Sequence, residues 1–118
     1  MILSADQILQ ADDLPKETVE VPEWGGDVIV RTLTGRERDR YEQSLFEIKG
    51  KQIQQNYENA RAKLCALCMI DEEGKRLFSD AQVVELGNKS SAAIDRIYAV
   101  ASRMNGFSKE DIDELVKN

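Results

Sequence analysis

Cys65 and Cys68, in the run KLCALCM, are the side chains of this 118-residue sequence whose type and spacing come nearest to chemistry. A C-x-x-C pair can hold a metal or cycle as a disulfide. A zinc site asks for four ligands, yet the chain has no further cysteine and no histidine, so no metal site is expected. A redox pair belongs at a helix start, where the thiol pKa falls, whereas this pair lies far along a helical pattern. Both thiols therefore read as small apolar core groups, in the free state that suits a reducing cytoplasm. Without histidine the commonest general base is also missing. The stretch DEEGK at 71–75 lacks the alternating oxygen ligands of a calcium loop. No phosphate-loop pattern surrounds Gly25-Gly26, and RERDR at 36–40 belongs to the first turns of a helix. No catalytic, cofactor-binding or metal-binding residue is assigned, and the chain reads as non-enzymatic.

A hydrophobic content of 42% in 118 residues can cover one modest core, so residues 1–118 are expected to form a single domain. The net charge of -6 disfavours nucleic acid, which needs a basic stripe, and points to protein partners. MILSADQILQADD has no basic segment ahead of an apolar run, and about 18 apolar residues never occur in succession. A soluble, unsecreted protein with no membrane partner is expected.

Helix starts are well marked. Ser4 with Gln7, Thr34 with Glu37 and Ser79 with Gln82 match the capping box S/T-x-x-E/Q, and Ser108 with Asp111 is a weaker version. Leu3 with Ile8, Phe78 with Val83, and Phe107 with Ile112 add hydrophobic staples. These hydroxyls are caps, not nucleophiles. Apolar stripes run through Tyr41, Leu45 and Ile48, through Ile53, Tyr57, Ala60, Leu64, Leu67 and Cys68, and through Ile94, Ile97, Tyr98, Ala101 and Met104. With stops at Gly50, Gly87 and Gly106, the spacing predicts helices near 4–11, 35–48, 53–69, 80–86, 91–105 and 109–116.

Residues 17–33 differ. Val19 and Val21 share one face of a first run, Val28 and Val30 one face of a second, and Ile29 and Leu33 its other face, the period of two that marks strands. PEWGGD between them reverses the chain, giving a β-hairpin that needs other elements to lie on. MIDEEGKRLF offers a second ribbon turning at Gly74. The expected fold class is α+β, mainly α: about five to six helices with a small N-terminal hairpin.

The order of four segments, LSADQIL, VEVPEWGGDVIVRTLTGRERDRYE, ARAKLCALCMIDEEGKRLFSD and NGFSKEDIDELVKN, resembles the small tail assembly chaperones of long, flexible-tailed bacteriophages. The resemblance implies a protein made in the host bacterial cytoplasm and absent from the finished virion. It would bind the tape measure protein and keep it soluble until tail tube subunits polymerise around it, which makes the tail tube protein a further partner. It also implies a longer form made by frameshifting near the codons for Lys117 and Asn118, and many copies along one partner, hence a homo-oligomer. The rival reading is a structural tail adaptor or connector subunit retained in the virion; a helix-turn-helix regulator is disfavoured by the acidic charge.

A chaperone of this kind must offer apolar contacts while charge holds the complex in solution. The hairpin is the candidate surface, with Trp24 as anchor and Val28 and Val30 beside it. The helical faces around Tyr41 and Tyr57 are the reserve. Against this stands the plain alternative that Trp24 packs back onto the protein's own helices.

Overall fold

The computed structural model describes residues 1–107. The expected helix at 109–116, its start at Ser108 with Asp111, the partner Ile112 of the Phe107 staple, and Lys117 and Asn118 lie outside the described residues.

Helix α1 (Ala5–Gln10) opens on a complete capping box: the Gln7 amide donates to Ser4 Oγ at 3.2 Å and the Ser4 amide to Gln7 Oε1 at 2.9 Å. Strands β1 (Lys16–Val21) and β2 (Gly26–Arg31) follow as an antiparallel hairpin in which Val19 faces Val28, with Pro22–Trp24 as a 3₁₀ turn at its tip. The alternating valines turn Val19, Val21 and Val30 into the core. Helix α2 (Gly35–Ser44) starts at the Thr34 box, and α3 (Ala60–Cys68) runs through the middle of the molecule. Strand β5 (Met69–Ile70) pairs with β2, giving the order β1-β2-β5. The ribbon expected around Gly74 exists as the return from β5, closed by an Ile70–Arg76 bridge. A 3₁₀ turn and α4 (Val83–Gly87) follow the Ser79 box, and α5 (Ser91–Met104) lays Ala93, Ile94, Ile97 and Ala101 against the core.

One expectation fails. Residues 46–55 are not helical: β3 (Phe46–Lys49) and β4 (Gln52–Gln55) form a second hairpin, a separate two-stranded sheet. The helix expected over 35–48 therefore ends at Ser44, and the one expected over 53–69 begins at Ala60. Among the described residues 47% are helical, short 3₁₀ turns included, and 21% lie in strands. The mainly α architecture with one hairpin is thus corrected to an α+β fold with two small sheets. The physical reason lies in FEIKGKQIQQ, where Phe46 and Ile48 alternate with Glu47 and Lys49 on one side of a two-residue loop. Gly50 takes φ 63° there, a left-handed conformation that closes tight hairpins and that glycine adopts without steric cost. Gly50 is a hairpin turn, not a helix stop.

Gly87 also has a different reason from the one expected. Its φ is not left-handed; instead, a Cβ there would lie 2.5 Å from Asn59 Oδ1, so glycine lets α4 approach the start of α3. Asn59 itself is left-handed at φ 61°, a conformation asparagine tolerates better than most residues.

Two polar hubs fix the elements around the core. The Asn105 side chain accepts from the Leu33 amide at 2.8 Å and donates to the Ala101 carbonyl at 2.8 Å, while the Asn105 carbonyl accepts from Arg38 at 3.1 Å. The Arg31 guanidinium makes a bidentate pair with Glu37 at 2.8 and 3.0 Å, and Glu37 Oε1 also accepts from the Thr34 amide. Both charged side chains are largely covered, at 12% and 15% exposed. Burial alone would raise the Glu37 pKa, but Arg31 and the Thr34 donors outweigh it and hold the carboxyl below its usual range.

A lowered folded pKa contributes stability that is whole above the unfolded value and is lost as pH falls through the folded one. Glu37→Gln should therefore cost about 2 kcal/mol at neutral pH, the scale of hydrogen bonds to a charged group. It should also flatten the decline of the urea midpoint below about pH 4. A variant whose acid profile runs parallel to that of the unmodified chain would contradict the assignment.

Candidate functional site

Two elements leave their large apolar residues uncovered. In the β3–β4 ribbon, Phe46 and Ile48 alternate to one face, and cross-strand pairing sets Ile53 opposite Ile48 on that same face. Phe46 is 43% exposed, Ile48 78% and Ile53 74%. With Gln43 they line a shallow groove. The opposite face carries Glu47, Lys49, Gln52 and Gln54. The root of the ribbon is held firmly: the Asn56 amide donates to the Leu45 carbonyl at 2.6 Å and Lys63 Nζ to the Ser44 carbonyl at 2.8 Å. The second element is α1, no residue of which is buried; Leu3, Ile8 and Leu9 stand open to solvent.

The residues singled out from the sequence are placed otherwise. Val30 and Tyr41 are buried in the core, the latter with its ring centroid 6.3 Å from that of Phe107. Burial raises the Tyr41 hydroxyl pKa far above its ordinary value. Trp24, Val28 and Tyr57 are half-buried and pack against the core cluster. Trp24 therefore leans on the protein's own elements, beside Phe78 and Leu86, and its indole Nε1 has no hydrogen-bond partner among the described residues. Tyr57 lines a cleft with Tyr41 and Tyr98, where Arg61 pairs with Asp95 at 2.8 Å. These five side chains do not form one surface. The ribbon is hidden in the sequence because Ile48 and Ile53 also fit helical stripes; the signals that reveal it are the alternation of Phe46 and Ile48 with Glu47 and Lys49 and the glycine turn at Gly50.

Neither cysteine is accessible. Cys65 and Cys68 are fully buried, and the Cys65 thiol donates to the Ile94 carbonyl at 3.6 Å. Burial pushes both thiols up, Cys68 to about 12. Among the described residues no group of three or more His, Cys, Asp or Glu could hold a metal ion, and no helix is long and apolar enough to cross a membrane.

The sequence model of the phage tail assembly chaperone family matches residues 8–118. The chain belongs to that family. A solved structure of the bacteriophage HK97 tail assembly chaperone superposes with a TM-score of 0.61, covering 84% of this chain and 94% of that one at 20% identity. At that identity the likeness establishes a shared fold. No curated protein matches the sequence.

The buried thiols give a direct check on the packing. A thiol reagent at neutral pH should modify Cys65 and Cys68 only as fast as the chain opens, and at full rate in denaturant. Labelling of the native chain at the rate of an exposed cysteine would contradict the burial described.

Proposed function

We propose that this chain binds a tape measure protein in the host cytoplasm and keeps it soluble until the tail tube assembles around it, without catalysis and without remaining in the virion. Family membership supports the assembly role. The observation that carries the contact is the exposed face of the β3–β4 ribbon, Phe46, Ile48 and Ile53, on a root fixed to the core. A long helical partner is apolar along stripes before it is enclosed, and a firm apolar face on an acidic body suits it, because the remaining charge keeps the complex in solution.

Magnitudes indicate how such a face would be used. Burying three large apolar side chains contributes gross stabilisation of about 5–8 kcal/mol, whereas association costs on the order of 4–15 kcal/mol. One ribbon on one site is weak. Many copies on one long partner gain by effective concentration, which fits a role that coats a tape measure and releases it when tube subunits arrive. Half-buried Trp24 and Val28 supply a smaller contact at the tip of the first hairpin, and Tyr57 a smaller one still.

Co-expression with the tape measure protein tests this. The unmodified chain should keep that partner in the soluble fraction. Ile48→Asp or Ile53→Asp should lower the soluble yield at least several-fold, and Trp24→Ala should lower it less, with circular dichroism confirming that each variant is folded. Equal activity of the folded ribbon variants would remove the ribbon from the site. Failure of the unmodified chain to solubilise the partner, or its presence in stoichiometric amounts in purified virions, would overturn the chaperone reading.

A further inference from the structure

The stop of α5 aims the chain at a cleft. Gly106 is left-handed at φ 72°, its amide donates to the Arg103 carbonyl at 3.2 Å, and the Phe107 amide donates to the Ser102 carbonyl at 2.9 Å. Together these bonds form the glycine stop that turns a chain out of its helix. Phe107 consequently packs on Tyr41, with the Arg38 guanidinium 4.5 Å from the centre of its ring. Tyr41 also lines the cleft of about 360 Å³ that α2, α3 and α5 share, together with Leu45, Tyr57, Ile94 and Tyr98. The described chain therefore ends beside this cleft, and residues 108–118 follow.

The cleft lacks cover that its lining calls for. Tyr57 and Tyr98 are half-buried, and the Tyr57 hydroxyl, itself buried, has no hydrogen-bond partner among the described residues, which is costly. Along α5 the cleft runs from Ser91 to Tyr98, about 10 Å of helix. The sequence that follows Phe107 suits that length and chemistry. Ile112, Leu115 and Val116 are spaced three and four apart, one apolar stripe of a helix, and residues 109–116 in helical form span about 12 Å. Residues 108–118 carry Glu110, Asp111, Asp113 and Glu114 against Lys109 and Lys117. The rim carries Arg61 and Lys89 against Asp95. Asp95 already pairs with Arg61 at 2.8 Å, so Lys89 is the rim cation that the acidic segment meets.

We propose that this cleft is the docking site for residues 108–118 of the same chain. Ile112, Leu115 and Val116 cover Tyr57, Ile94 and Tyr98, and the acidic side chains point to Lys89 and to solvent. Because Phe107 is anchored beside the cleft, the segment is present there at high effective concentration, and a contact too small to hold two separate molecules suffices. The docking rests on no part of the function proposed above.

Amide hydrogen exchange of the full chain tests it. A segment of this length does not hold a helix in water by itself, so protection of residues 109–116 reports docking. Those amides should exchange about tenfold or more below the rate of an unstructured chain, equally at low and high protein concentration. Leu115→Asp should abolish that protection. So should Ala60→Asp, which puts a negative charge in the cleft at the first residue of α3, a position where a helix tolerates an acid. Circular dichroism and unchanged exchange of α3 should show both variants folded. Unprotected amides in the unmodified chain, or protection that survives Leu115→Asp, would overturn the docking. Protection that survives Ala60→Asp would remove the cleft as its site, and protection that grows with concentration would assign the segment to a second copy and overturn the proposal. Each outcome leaves the chaperone reading untouched.

Discussion

Burial of α3 is the constraint on which the rest of the structure depends. Ala62, Leu64, Cys65, Ala66, Leu67 and Cys68 are all buried, so this nine-residue helix needs cover on nearly every side. Helix α5 through Ile94 and Ile97, α4 through Leu86 and α2 through Tyr41 supply it, with Leu45 just past the end of α2 and the valines of the β1–β2 hairpin completing the same core cluster. A 118-residue chain has few apolar residues beyond that demand. Among the described residues Phe46, Ile48 and Ile53 on the ribbon and the leucines and isoleucines of the first ten residues make up most of what remains outside, with Leu77 and Val84 exposed singly elsewhere.

Polar contacts act at the margins of that arrangement by fixing directions. Asn105 ties the end of α5 to the strand exit at Leu33, and Arg38, which bonds the Asn105 carbonyl, also stacks 4.5 Å over the Phe107 ring. The Arg31–Glu37 pair sets the angle between β2 and α2. Exposed pairs such as Arg103–Glu17 and Arg61–Asp95 are screened and add little each. The result is a firm body from which the ribbon projects at the α2–α3 connection, a geometry that offers an apolar face without opening the core.

Much of this was legible in the sequence. The capping boxes at Ser4, Thr34 and Ser79 located helix starts because a cap is a local event, set by residues three apart. The first hairpin was legible because Val19, Val21, Val28 and Val30 alternate on both sides of a turn. The second was lost because Ile48 and Ile53 satisfy a helical spacing as well as a strand one, and a short apolar run cannot be decided by period alone. The surroundings of Trp24 are less legible for a related reason: whether a large apolar side chain is anchor or core depends on tertiary cover. Family resemblance read from the segment order agreed with the match over residues 8–118, while the uncovered apolar face of the ribbon emerges only from exposure.

The central claim is that the β3–β4 ribbon is the face this chaperone presents to its partner. Amide hydrogen exchange of the chain alone and with its tape measure protein tests it directly. Residues 46–55 should gain protection on binding, while α3, already buried, should change little. Protection confined to the tip of the β1–β2 hairpin, with the ribbon exchanging as in the free chain, would contradict it.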